Sequence, residues 1–360
     1  MKILIFGDRT EDFSSYSIMT KSFVDIFKEH ELYLIALSSN NIITNEDHTE
    51  LPVIRNCGGR ETPSTEFTFT DNLYLYSKLI KPDLVFVHVD TNTLIDDVEA
   101  LNDFAKLNIP YVLYAVIDGF PIPKRDIRFY NWINKHGRVI TFSKFAHNLI
   151  DSEYIPHTID LDFFKPMNLK KEKLTIGCVA TCTERKSPYM LMKTYKRLKD
   201  KYGDEIQFIY HSRNITPLIA NFITENKLKI IDTSNIPMNE IYNLMDIFVL
   251  PTRGEAFGLP LLEAQACGVP VVTTDYTTGP ELVKGHGELV SGTAKTYCNL
   301  CGVPRLIPDE EELFNKVCKL IDNPSLRERY SKESLIFAKD YDTNKWKADW
   351  LKIISSISDK

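Results

Sequence analysis

Short apolar runs alternate with helix-like stretches through the first half of the chain. The runs predict strands at Ile3–Phe6, Leu32–Leu37, Leu84–Val89, Tyr111–Ile117 and Val139–Phe142. The intervening stretches predict helices near residues 15–28, 71–80, 94–107, 125–136 and 144–151. This alternation is typical of a parallel sheet covered by helices on both faces. The polar segment from Asn40 to Phe69 interrupts it and predicts a long loop with room for one short strand.

The alternation of apolar runs and helix-like stretches stops near residues 155–172. Two prolines and the charged run Lys170–Lys173 predict a linker between two domains there. The alternation then starts again. Strands are predicted at Leu174–Val179, Gln207–His211, Leu228–Ile231, Ile247–Leu250 and Val269–Thr273, and helices near 188–201, 215–226, 239–244, 259–267, 309–322 and 325–340. In a last helix, Trp346, Trp350, Leu351 and Ile354 keep helical spacing. We therefore expect an α/β protein with two doubly wound domains.

The composition is that of an ordinary globular protein. Its 360 residues are 43% hydrophobic and 26% charged, and a chain of this length is expected to form two domains. A formal net charge of −6 argues against a general nucleic-acid-binding protein, which is usually basic. Seven scattered cysteines favour a reducing cytoplasm over a disulfide framework. The apolar start is too short for a signal peptide, and no apolar run reaches the ~20 residues of a transmembrane helix, so any membrane contact is expected to be peripheral.

The segment from Glu255 to Thr273 reads as a loop, a helix and a strand in direct succession. Gly258 and Pro260 stand where a helix begins, and Gly268 stands where it ends. Such a helix N-terminus offers backbone N–H groups and a positive dipole end to a phosphate. The two nearby carboxylates, Glu255 and Glu263, would repel a phosphate, so we expect them to accept hydrogen bonds from sugar hydroxyls. The segment therefore predicts a nucleotide-sugar site.

The spacing E-x7-E, with FGLPLLEA inside it and CGVPVV after it, closely resembles the signature of family-four retaining glycosyltransferases. The resemblance implies the GT-B fold, in which two Rossmann-like domains face each other across a cleft and the last helix crosses back to the first domain. The expected domains are residues 1–160 joined by 343–360, and residues 161–342. The resemblance assigns Glu255 to the donor sugar and Glu263 to the nucleotide ribose. It also implies retention of anomeric configuration and adds the donor-binding residues Ala256, Phe257, Gly258 and Leu259.

A second basic motif follows the first strand of the second domain. The family places a phosphate-binding Arg and Lys there, and Lys186 aligns with that Lys. Thr181 occupies the usual Arg position, so we expect the neighbouring Arg185 to replace it. Cationic side chains and a helix N-terminus can stabilise a diphosphate leaving group without a metal ion. We therefore expect no cofactor and no metal.

Asp118 follows the fourth strand of the first domain, where many family members have a His. Ligands of open α/β sheets bind at the carboxyl ends of strands, so Asp118 is a candidate to face the acceptor hydroxyl; an Asp-Gly turn is the alternative. Cys298 and Cys301 have zinc-ligand spacing, but a zinc site needs four ligands, and a fortuitous pair is the alternative.

A basic cluster with aromatic residues between its members occupies residues 124–138. An interfacial helix that meets anionic lipid and a solvated helix face both agree with it.

These observations predict a metal-independent hexosyltransferase that uses a UDP- or GDP-sugar and an acceptor the sequence does not name. Asp118, Glu255 and Lys186 are the expected catalytic residues, and Arg185, Lys186, Thr181, Glu263 and the stretch Glu255–Leu259 are expected to bind the donor. No nucleic acid is expected as a partner, and the expected location is the cytoplasm, with peripheral membrane contact left open. The alternatives are a nucleotide-sugar epimerase and a nucleotide-sugar-binding module that has lost transfer.

Overall fold

The chain divides into two units. The computed structural model describes residues 1–8, 15–36, 53–55, 69–91, 98–298 and 302–358. The first unit comprises Met1–Ile117, Ile122–His157 and Trp346–Lys360, and the second comprises Asp118–Pro121 and Thr158–Lys345. The sequence-based boundaries at residues 160 and 343 lie within three residues of these divisions. Residues 118–121, expected in the first domain, belong to the second unit.

The first unit contains a seven-stranded parallel sheet with the strand order β3-β2-β1-β4-β5-β6-β7. Its central strands β4 and β5 are buried along their whole length, because helices cover both faces. The strands are β1 Lys2–Gly7, β2 Glu31–Ala36, β3 Val53–Arg55, β4 Leu84–Val87, β5 Tyr111–Ala115, β6 Arg138–Thr141 and β7 Glu153–Tyr154. The helices are α1 Ser15–Phe27, α2 Phe69–Ile80, α3 Val98–Ala105, α4 Lys124–His136 and α5 Lys144–His147. The expected alternation is confirmed, while most of the predicted loop 40–69 lies outside the described residues.

Helix α4 contains the basic cluster. It buries Phe129, Tyr130 and Ile133 and exposes Lys124 and Arg128. Separately, no helix in the described part of the chain combines the length and the apolar character needed to cross a membrane.

The second unit contains a six-stranded parallel sheet with the order β10-β9-β8-β11-β12-β13. The strands are β8 Leu174–Val179, β9 Ile206–His211, β10 Ile230–Ile231, β11 Ile247–Leu250, β12 Val271–Thr274 and β13 Gly287–Val290. The helices are α6 Pro188–Tyr202, α7 Pro217–Glu225, α8 Met238–Asn243, α9 Leu259–Ala266, α10 Gly279–Val283, α11 Glu310–Asp322 and α12 Pro324–Ala338. A second doubly wound unit is therefore present, as the pattern predicts.

An antiparallel hairpin, β14 (Gly292–Tyr297) and β15 (Pro304–Pro308), follows β13 and was not predicted. Strand β14 is largely exposed, so its sequence lacks the apolar run that marks the buried strands. The hairpin packs beside the site described below.

The last helix, α13 (Thr343–Ser358), contributes its residues from Trp346 onward to the first unit. Trp350 is fully buried, and its ring centroid lies 4.9 Å from that of Phe23, 5.3 Å from that of Phe86 and 5.1 Å from that of Tyr114. Aromatic side chains bury a large area per residue, so these contacts anchor the chain terminus to the first unit.

Candidate active site

The E-x7-E segment forms the turn between β11 and α9. Gly258 precedes α9 with φ +100°, a backbone conformation that side chains other than glycine rarely adopt, and Pro260 occupies the first turn. Among the described residues, no side chain caps this N-terminus, and nearly every residue of α9 is buried. The predicted loop, helix and strand are confirmed, with β12 beginning two residues later than expected.

Glu255 lies at the centre of a buried ionic cluster with Arg185 and Lys186, here called the Glu255 cluster. Lys186 Nζ donates to Glu255 Oε1 at 2.5 Å, and Arg185 Nη1 donates to Glu255 Oε2 at 2.9 Å. Side-chain exposure is 7% for Glu255 and 10% for Lys186, whereas Arg185 keeps 34%. Both cations come from the 3₁₀ turn Glu184–Lys186 that precedes α6. The fold thus joins the two motifs that the sequence singled out.

The electrostatics of the Glu255 cluster favour the ionised carboxylate. Burial by itself raises the pKa of Glu255, but the charges of Arg185 and Lys186 outweigh it and lower that pKa to about 2. Burial lowers the pKa of Lys186, and the Glu255 carboxylate opposes that shift. The cluster therefore presents a partly exposed guanidinium beside a buried ammonium–carboxylate pair.

The backbone around Glu255 is held by the connection between β12 and α10. Glu255 N donates to Thr277 Oγ1 at 3.0 Å, and Thr278 Oγ1 donates to the carbonyl of Phe257 at 2.6 Å. Both threonines are buried. Their hydroxyls fix the loop from which Glu255 reaches the two cations.

Glu263 lies inside α9, eight residues after Glu255, and is 8% exposed. Tyr242 of α8 donates its hydroxyl proton to Glu263 Oε2 at 2.5 Å. No described residue donates to Glu263 Oε1. Burial raises the pKa of Glu263 to about 7, and the hydrogen bond from Tyr242 only partly opposes that rise. One carboxylate oxygen is thus available to a hydroxyl donor.

Thr181 and Asp118 lie apart from this cluster. Thr181 is exposed in the loop after β8, where its carbonyl accepts from Thr183 N at 2.8 Å. Asp118 Oδ2 instead accepts from Arg305 Nη2 of β15 at 2.6 Å, and Arg305 Nη1 also donates to the Asp118 carbonyl. Within the described residues, neither side chain hydrogen-bonds to Glu255. The acceptor-facing role of Asp118 stays a prediction.

The remaining candidate residues from the sequence are three donor-site residues near Glu255 and the cysteine pair. Ala256, Phe257 and Leu259 belong to the loop and first turn of α9, and the last two are buried. Across the described residues, no three potential metal-ligating side chains come together. Cys301 lies outside the described residues, so the choice between a zinc site and a fortuitous pair at Cys298 and Cys301 stays as the sequence left it.

Sequence reasoning missed three residues that shape the site: Tyr242, Thr277 and Arg305. Arg305 had a detectable signal, because a lone arginine inside the apolar run Val303–Pro308 must be paired if it is buried. Tyr242 and Thr277 offered none, since their contacts with Glu263 and Glu255 join residues 21 and 22 positions apart.

Comparisons with known proteins agree with this architecture. Residues 173–323 match the model of the family Glycosyl transferases group 1. An uncharacterized glycosyltransferase of Methanocaldococcus jannaschii is 23% identical over 341 residues, which cover 80% of this chain and 84% of that protein. A lipopolysaccharide core biosynthesis mannosyltransferase of Rhizobium meliloti is 53% identical over 55 residues, 15% of each chain.

Among solved structures, Anabaena HepE in complex with UDP and glucose superposes with a TM-score of 0.72. It is 16% identical, and the match covers 99% of this chain and 100% of that one. At such low identity the likeness shows the fold, which is the GT-B fold. Together with the family match, it supports a GT-B glycosyltransferase.

Proposed function

We propose that this protein transfers a hexosyl group from a UDP- or GDP-sugar to an acceptor hydroxyl with retention of anomeric configuration. The observation that carries the proposal is the Glu255 cluster, which pairs a buried carboxylate with two cations directly before a helix N-terminus. This arrangement supports the proposal, because its positive charge suits a diphosphate and its carboxylate can accept hydrogen bonds from sugar hydroxyls. The nucleotide and glucose bound by the structurally similar Anabaena protein support the same donor class.

The cations supply what the leaving group needs. Negative charge grows on the departing nucleoside diphosphate, and fixed cations with a helix dipole stabilise it without reorganisation. In this structure Glu255 pairs with both Arg185 and Lys186, so its single negative charge offsets only one of the two positive charges and a bound diphosphate would share the cations with it. Arg185, being the more exposed, is the first that a phosphate would meet.

The two carboxylates would bind the two sugar parts of the donor, the ribose and the transferred sugar. Glu263 would accept hydrogen bonds from ribose hydroxyls through Oε1 while Tyr242 holds Oε2. Glu255 would accept from hydroxyls of the transferred sugar. This division follows the family resemblance, as do retention and independence from metal ions.

The deciding experiment measures nucleotide and free sugar released from a panel of UDP- and GDP-sugars, with and without hydroxyl acceptors. We expect the protein to release nucleotide from donors with one of the two bases, and an acceptor to accelerate that release. EDTA should leave the rate unchanged, and NMR should show that the product keeps the donor's anomeric configuration. Activity lost with EDTA and restored by Mn²⁺ would contradict the metal-free mechanism. Interconversion of the sugar would indicate an epimerase, and binding without release would indicate a module that has lost transfer.

Variants separate the roles of the two carboxylates. Glu255→Gln should reduce transfer at least about 100-fold, because a contact to the transferred sugar acts in the transition state. Its affinity for the nucleoside diphosphate should not fall, since both cations remain. Glu263→Ala should weaken nucleotide binding itself by roughly 1–3 kcal/mol. Equal losses of nucleotide affinity in the two variants would contradict this division.

A further inference from the structure

Arg305 is a buried cation outside the predicted donor site. It lies on β15 of the antiparallel hairpin β14–β15, and its side chain is 5% exposed. Its guanidinium donates to Asp118 twice, once to the carboxylate at 2.6 Å and once to the backbone carbonyl. A buried guanidinium needs such partners because an unpaired buried charge is strongly destabilising. The hairpin is therefore tied to a segment 187 positions earlier in the chain.

Tyr276 makes a second set of bonds to the same segment. Its hydroxyl accepts from the backbone N–H of Phe120 at 3.0 Å and lies 3.1 Å from the carbonyl of Phe120 and 2.9 Å from that of Pro304. Tyr276 immediately precedes the buried Thr277 that holds the backbone of Glu255. The Asp118–Pro121 segment, the hairpin and the Glu255 loop thus share one set of hydrogen bonds within the second unit.

Gly254 joins this assembly to the Glu255 cluster. A carbon added at its Cβ position would lie 2.6 Å from the Asp118 carbonyl oxygen and 3.1 Å from Arg305 Nη1. Its φ of +152° also disfavours a side chain. The Gly254 carbonyl accepts from Arg185 Nη1 at 2.7 Å. Asp118 and Arg305 therefore pack against the residue that immediately precedes Glu255.

We propose that Arg305 and Asp118 are positioning residues that act as one unit to hold Gly254 and Glu255 in the geometry needed for donor-sugar binding. This inference rests on the proposed function and refines the sequence-based role of Asp118. The Asp118 carboxylate acts through Arg305 and the loop, and it does not receive the acceptor proton.

A double-mutant cycle tests this coupling. Asp118→Asn and Arg305→Met should each lower kcat for transfer about 10- to 100-fold, with the Kd for the nucleoside diphosphate within about twofold of wild type. The double variant should be no worse than the weaker single variant, because residues that act as a unit are not additive. Arg305→Lys should recover part of the rate.

Glu288→Gln is the matched control. Glu288 is also buried in the second unit and paired with two lysines, Lys316 and Lys319, and among the described residues none of its bonds reaches the Glu255 loop. It should leave kcat within about twofold of wild type. Additive losses would overturn the proposal, because they would show that the two residues do not act as a unit. A large loss in Asp118→Asn with the wild-type rate in Arg305→Met would also overturn it and would indicate that Asp118 meets the acceptor directly.

Hydrogen exchange separates this inference from the proposed function. If wild-type protein turns over no nucleotide sugar, the proposed transfer fails. Mass spectrometry of the peptide spanning residues 252–258 still tests the positioning. Exchange there should be at least about threefold faster in Arg305→Met than in wild type or Glu288→Gln, while peptides from α6 and α7 exchange equally in all three proteins. Unchanged exchange at 252–258 would overturn the proposal.

Discussion

At the scale of single residues, Glu255 and Glu263 show how neighbours set the behaviour of the same functional group. Both carboxyls are buried, yet the pKa of Glu255 is lowered to about 2 and that of Glu263 is raised to about 7. The difference follows from their partners, two cations in the first case and one neutral tyrosine in the second. Glu255 is therefore ionised at any physiological pH, whereas Glu263 titrates near neutrality.

We predict that nucleotide affinity rises with pH through the titration of Glu263. Its pKa of about 7 lies above the ordinary value of 4.5, so the carboxyl is largely protonated at pH 6 and ionised at pH 8. The ionised form accepts hydrogen bonds from ribose hydroxyls better, so Kd should fall about tenfold between pH 6 and pH 8, the factor that one protonation at pKa 7 imposes. Isothermal titration with UDP or GDP measures this change.

Glu263→Gln is the control for that titration. The amide oxygen can still accept from Tyr242, but the group no longer ionises. Ionisation of the nucleotide's own phosphate is common to both proteins, so the difference between their pH profiles reports Glu263. Parallel profiles in the variant and the wild type would mean that Glu263 does not bind the ligand through its charge.

A second residue-scale prediction concerns the stability of the Lys186–Glu255 pair. Glu255→Leu alone should lower the free energy of unfolding by about 3–5 kcal/mol, because it leaves a buried ammonium without its carboxylate. Adding Lys186→Met should restore much of that loss, since a buried ion pair and an apolar pair of similar volume are often close in stability. Urea unfolding followed by circular dichroism measures both. A double variant less stable than Glu255→Leu would contradict the prediction.

At the scale of elements, α9 depends on a glycine at its start. Gly258→Ala places a methyl group 3.0 Å from Leu261 Cδ1 and 3.6 Å from Glu255 Cγ, in a backbone conformation with φ +100°. We predict a stability loss of about 1–2 kcal/mol from the backbone strain. We also predict a fall in transfer of about tenfold or more, because relief of this backbone strain would move the turn that carries Glu255.

Gly285 provides a matched control for this element. It has nearly the same φ, +103°, but no described residue has an atom within 4 Å of an added Cβ. Gly285→Ala should therefore lose similar stability in thermal unfolding while keeping the transfer rate of wild type. Equal losses of activity in the two alanine variants would show that the crowding at Gly258 has no functional effect.

At the scale of the whole molecule, each unit builds its own core, and the last helix completes the core of the first. Trp350 is fully buried among aromatic rings from α1, β4 and β5, whereas its neighbour Leu351 is 47% exposed. Trp350→Ala should destabilise the first unit by about 3–5 kcal/mol, and Leu351→Ala by less than about 0.5 kcal/mol.

Calorimetry or limited proteolysis measures this difference. Peptides from β1, β4 and β5 should become accessible to protease in Trp350→Ala before peptides from β8 and β11 do. Simultaneous cleavage in both units would show that the loss of Trp350 is not confined to the first unit's core.

The sequence by itself determined the order of most elements and the form of the E-x7-E segment. The apolar runs of β1, β4, β5, β8 and β11 and the Gly258–Pro260 start of α9 follow from periodicity, propensity and capping, which act between residues close together in the chain. The exposed strand β14 could not be predicted, because it has no apolar run.

Only the tertiary structure decided what surrounds the site residues. It brought Lys186 to Glu255 across 69 positions, Tyr242 to Glu263 across 21, and Arg305 to Asp118 across 187. Burial and charge pairing depend on which segments the parallel sheet brings together, and no local pattern encodes those neighbours. The sequence could therefore name both glutamates, while only the fold could make one a permanent anion and the other a group that titrates near pH 7.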